Sequence, residues 1–109
     1  MAREQIGELA IDGAAVPIEL DASSGRLEAP IDGQVAFIAL HVHGSVLSLI
    51  HTEVPIVLRG KRVADGLARA ALEYARTQGM TVKPFCPFVA GYIRRHPEFL
   101  DLVDPTFSS

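Results

Sequence analysis

Two hydrophobic periods divide the chain. Up to Val54 the apolar residues come in short runs broken by turn residues, and from Val63 onward they recur every third or fourth position. AVPIEL (15–20) reads as a short edge strand, because Pro17 has no N–H to donate to an inner ladder, and DASSG (21–25) is turn chemistry. The residues ahead of it point to no single element. Arg26 to Ala29 predicts a short strand, and Asp32-Gly33 a hairpin turn. QVAFIALHV (34–42) is apolar at successive positions, which predicts a central strand covered on both faces. Gly44-Ser45 offers a second tight turn. VLSLIHTEV (46–54) is then the next strand, stopping at Pro55, so the first half is an antiparallel meander.

The period then changes. Val63, Leu67, Ala71 and Ala75 are four apart, with Ala64, Ala68 and Leu72 beside them, which predicts one apolar helical face closed by Gly79. MTVKPF (80–85) resumes an extended pattern. Strand, helix, strand with such short loops predicts a parallel pair joined by a right-handed crossover. A last helix starts at Cys86-Pro87, with Pro87 at the first helical position, Phe88, Val89, Tyr92 and Ile93 inward, and an end before Pro97. The expected fold is therefore α+β, on a mixed, mostly antiparallel sheet.

With 109 residues, the chain is expected to be one domain over 1–109. The hydrophobic share of 49%, charged share of 21% and net charge of −3 are those of a soluble globular protein and argue against a general nucleic-acid binder. Glu4, Glu8 and Asp12 interrupt the opening residues, so no leader or membrane span is expected. One cysteine excludes an intramolecular disulfide and fits a reducing compartment, by default the cytoplasm.

Candidate chemistry gathers at element ends. Arg59, Lys61 and Arg62 precede or open the long helix, whose N-terminus is already partly positive, and each such placement costs roughly 0.3–1 kcal/mol unless an anion lies near. Asp65 alone is a weak answer to three cations. Either the loop is simply solvated, or free N–H groups and cations together hold a phosphate. Cys86, at a helix N-cap with Lys83 close in sequence, is either a buried small hydrophobe or a thiol favoured as thiolate. His51 shares a strand face with Glu53, while Thr52 and Val54 take the other. His96, beside Arg94 and Arg95, suits a helix C-cap. A metal reading would join His41 and His43 to His51, His96 and Cys86, but the Gly44-Ser45 turn is expected to send His41 and His51 to opposite faces.

HTEVP (51–55), LRGKRVA (58–64) and CPFVAGYIRRHPEF (86–99) together resemble the minimal, single-domain (YjdJ-type) branch of the GNAT acetyltransferases. The resemblance is close over 51–103 and looser over 24–50. It implies an α/β/α arrangement whose central parallel strands splay apart, with acetyl-CoA entering the gap. The family's pyrophosphate turn, Arg/Gln-x-x-Gly-x-Gly/Ala, falls on Arg59, Gly60, Lys61, Arg62, Val63 and Ala64. Arg62 stands where the family has glycine, which bears on cofactor affinity. The backbone of His51 to Val54, Glu53 included, is implied to pair with the pantetheine arm, and Phe88 and Tyr92 to flank the thiol end. Cys86 and His51 fall on the family's candidate catalytic cysteine and its histidine. N–H groups near Val54 would face the oxyanion, His51 would be the base, and Cys86 either an acetylated nucleophile or the acid for the leaving thiolate. The resemblance implies N-acetyl transfer to an amine on a protein lysine, a polyamine or a small metabolite, by a monomer or weak dimer without a metal. The alternative is a CoA-binding or acyl-CoA-binding domain with little or no transferase activity.

Overall fold

Two Asp-Gly pairs shape the first half of the protein. In the computed structural model, which describes residues 3–107, Asp12 and Gly13 have φ of 50° and 82°, and Asp32 and Gly33 have 48° and 77°. Positive φ at both central positions matches a tight turn to the twist of the strands that it joins. Strands β1 (Arg3–Ile11), β2 (Ala14–Asp21), β3 (Arg26–Ile31), β4 (Gln34–His43) and β5 (Val46–Glu53) succeed one another as an antiparallel meander.

The opening residues thus hold two strands rather than one edge strand. β1 takes the edge, and the hairpin signal at Asp12-Gly13 is the same dipeptide that marks the β3–β4 turn. Pro17 sits in an inner strand, yet the β2–β3 ladder covers only Glu19–Asp21 against Arg26–Glu28. Pro17 and Pro30 both lie beyond that paired stretch, so neither interrupts the β2–β3 ladder.

The second half completes the sheet. Helix α1 (Val63–Thr77) leads to strand β6 (Thr81–Pro84), which pairs in parallel with β5. The helix ends as Gly79 and the chain's period predict: at φ 68°, Gly79 lets its own N–H donate to the Arg76 carbonyl (3.2 Å) and that of Met80 to Ala75 (2.8 Å). Helix α2 (Pro87–Arg95) and a 3-10 turn (Pro97–Leu102) come last. No described helix is long and apolar enough to cross a membrane.

The core lies between the sheet and these helices. Val63, Leu67, Ala68, Leu72 and Ala75 of α1 meet Ile18, Leu27, Ile38, Leu47, Leu49 and Val82 of the strands, and each fully buried large aliphatic is worth about 1.5–3 kcal/mol. Small residues set the closeness of α1 to β1: a Cβ on Gly66 would stand 3.0 Å from that of Leu9. β4 departs from the expectation of cover on both faces. Ala36 and Ile38 are buried, but Val35 and Val42 are exposed, and Phe37 on the outer face is covered by the Arg26 guanidinium, 3.5 Å from the ring centre. Side chains, not a second layer, shield that face.

Two irregularities shape the end of β5. Ala39 faces His51 while Leu40 faces Leu49, so Ile50 is an extra residue that forms a β-bulge. The β5–β6 ladder also stops at Leu49–Pro84, although β5 runs on to Glu53. β6 itself ends there, so Ile50 to Glu53 have no ladder partner on that side, and the Cys86 N–H donates to the Leu49 carbonyl (2.9 Å) at the edge of that gap.

Candidate functional site

Past Pro55, the chain makes one 3-10 turn (Ile56–Leu58) and enters the basic segment. The Arg59 Nε donates to the Val54 carbonyl (3.1 Å), tying the guanidinium to the end of β5. Gly60 takes φ 84°. Arg62, at the N-cap of α1, is left-handed at φ 62° and ψ 28°, a backbone that glycine adopts freely. An L-residue there costs roughly 1–2 kcal/mol, against about 0.5–1 kcal/mol of lost chain entropy for glycine. Arg62→Gly is therefore expected to raise the thermal midpoint by a few degrees, read by calorimetry; an unchanged or lower midpoint would show that the arginine side chain compensates its backbone.

These residues wall a cleft of about 530 Å³ lined by Val54, Arg59, Gly60, Arg62, Val63 and Ala64 together with Asp65, Phe88 and Arg95. It runs from the positive end of α1 to Val54, just past the end of β5. Arg62 and Arg95 approach Asp65 at 3.9 and 3.7 Å, and such long, exposed pairs contribute little. The guanidiniums are thus available to a stronger anion. Arg95 also stacks over Phe88 and Tyr92, 5.9 and 5.6 Å from the ring centres. Arg95 was not among the cleft residues expected from the sequence, although it lies seven positions after Phe88 and so on the same helical face.

Other predicted residues lie elsewhere. Lys61 turns to Asp12 in the β1–β2 turn (3.0 Å), so Asp65 is not the sole answer to the three cations. Tyr92 is buried, with its ring stacked on His96 (4.0 Å) and its hydroxyl 3.5 Å from Arg69. It lines a neighbouring groove of about 500 Å³ between β1 and α1. That hydroxyl is the main reason that the Arg69 guanidinium is held above its ordinary pKa. The His96 Nδ1 bonds the Tyr92 carbonyl (2.9 Å) and caps α2, as expected.

Cys86 is the N-cap of α2 and only 3% exposed. Its Sγ lies 3.2 Å from the Thr52 Oγ1. His51 and Glu53 share the outer face of β5, with Nε2 donating to Oε1 at 2.8 Å. His51 and Cys86 are therefore not in contact but stand on opposite faces of one strand. The bulge also reverses the expected relation of His41 and His51: one extra residue brings both to the outer face. Among the described residues, no three His, Cys, Asp or Glu side chains gather as a metal site would require.

Residues 26–102 match the family model described as GCN5-related N-acetyl-transferase. Among curated proteins, the chain is similar to Protein NATD1 of Mus musculus and of Gallus gallus, 24% identical to each over 98 residues, covering 85% of this chain and 89% of theirs. Protein NATD1 of Xenopus tropicalis is 28% identical over 67 residues, 60% of this chain and 62% of that one.

Proposed function

The chain belongs to the GCN5-related N-acetyl-transferase family, and from that premise we propose that it moves an acetyl group from acetyl-CoA to an amine. The observation that carries this reading is the cleft in which Arg59 and Arg62, at the start of α1, and Arg95, at the end of α2, lie beside Val54, the residue that follows the unpaired end of β5. A diphosphate fits Arg59, Arg62 and Arg95 by charge and by guanidinium geometry. An extended amide-bearing arm fits the backbone of Ile50 to Glu53, which lacks a ladder partner on the β6 side. Gly60 adds room, since a Cβ there would meet nothing within 4 Å.

Acetyl-CoA, when bound, supplies the activated acyl group. Backbone N–H groups near Val54 would donate to the carbonyl oxygen as negative charge develops on it. The two faces of β5 divide the proton work. On the outer face, His51, held by Glu53, takes the proton from the attacking amine. On the inner face, the Cys86 thiol gives its proton to the departing sulfur. The nitrogen–carbon bond forms as the carbon–sulfur bond breaks, and the proton held by His51 returns through solvent to reprotonate Cys86. A buried thiol suits this acid role better than that of an exposed nucleophile.

The outer face around His51 carries no helix, which suits an amine presented on a protein or polyamine, with a small metabolite as the other class. A lone reduced thiol fits the cytoplasm, and β1 leaves one sheet edge free for weak self-association. Calorimetric titration with CoA and acetyl-CoA, and then thiol release across lysine peptides, polyamines and small amines, tests the reading. Binding with release from at least one acceptor is expected. Binding without release would favour a CoA-binding domain, and no binding would overturn both.

A further inference from the structure

The bulge at Ile50 decides which side chain meets the thiol. With strict alternation from buried Leu49, His51 would turn inward and Thr52 outward. The extra residue reverses this: Thr52 opposes buried Ile38, and its hydroxyl reaches the Cys86 sulfur just past the end of the β5–β6 ladder, 3.2 Å away. Among the described residues, the Thr52 side chain bonds to nothing else. Thr52 and Cys86 each stand two residues before a wall of the cleft, Val54 and Phe88.

We propose that Thr52 is the positioning residue for Cys86. Its hydroxyl donates to Sγ, holds the sulfur toward the gap between β5 and β6, and remains bonded once the thiol has given up its proton. A hydroxyl donor to an anionic sulfur is a charge-assisted bond, stronger than its neutral counterpart, and with Cys86 only 3% exposed few waters compete for that place. This rests on the reading of Cys86 as the acid of an acetyl transfer.

The sole cysteine of the chain makes the test clean, because alkylation reports Cys86 alone. Iodoacetamide rates at one fixed pH are compared for the full chain, Thr52→Val and Thr52→Ser. Thr52→Val keeps the shape but loses the donor and is expected to react about tenfold more slowly, while Thr52→Ser returns to near the unsubstituted rate. In thiol release, Thr52→Val should lower kcat by a similar factor with the acetyl-CoA KM unchanged. Equal alkylation rates in all three proteins overturn the proposal. So does a serine variant that behaves like valine, since the methyl group would then be what matters. If Thr52→Val melts early, Thr52→Ala takes its place with the same expectation. Failure of the unsubstituted chain to bind CoA would remove the transferase reading while leaving the alkylation result standing. Binding with unchanged alkylation would remove only the role of Thr52.

Discussion

Replacing Cys86 with serine is expected to slow acetyl transfer about 100-fold, in the range that a positioned general acid supplies, with the affinity for acetyl-CoA unchanged. A serine hydroxyl is nearly the same size and can keep the contact with Thr52, but it holds its proton far more tightly than a thiol does. The departing thiolate would then leave without a proton from the protein. Thiol release under saturating acetyl-CoA reads the rate, and titration of CoA reads the binding. Full activity in the serine variant would show that the leaving group needs no help from residue 86. Because Cys86 is buried at the start of α2, the melting curve of the variant is read alongside.

The second large effect is on binding. Arg59→Glu is expected to weaken CoA by about 100-fold or more, because it removes charge-assisted bonds to phosphate worth about 1.5–3 kcal/mol each and adds repulsion. It also frees the Val54 carbonyl from the Arg59 Nε. Arg59→Lys separates these effects, since lysine keeps the charge but lacks the planar fork, and it should lose less. Arg95→Glu, on a different element, should weaken CoA as well if one anion lies between the two helices. Binding should also fall with rising salt, as expected of partly exposed charges. CoA affinity that ignores both reversals would place the phosphates elsewhere.

Much of the molecule was legible in its sequence because the signals are local. The period of Val63, Leu67, Ala71 and Ala75, the stop at Gly79 and the Pro87 start of α2 depend on residues within a turn of one another. The family model covering 26–102 bears out the resemblance carried by HTEVP, LRGKRVA and CPFVAGYIRRHPEF, and the parallel β5–β6 pair is the one that strand, helix, strand predicts. The opening hairpin was missed: Asp12-Gly13 carries its turn signal, but the mixed polarity of residues 3–11 hid the strand before it, since only Leu9 and Ile11 are buried there. β4 was read as doubly covered because its outer apolar residues were counted as buried.

The composition of the basic turn, including Arg62 at the start of α1, was determined by the chain alone. What lies opposite what was decided only on folding. One unmatched residue, Ile50, turns Thr52 rather than His51 toward Cys86, and a bulge is a property of two strands in register, not of either one. Lys61 finds Asp12 and Arg95 joins the cleft for the same reason. Such contacts are set by how distant segments stack, and no periodicity within a segment encodes them.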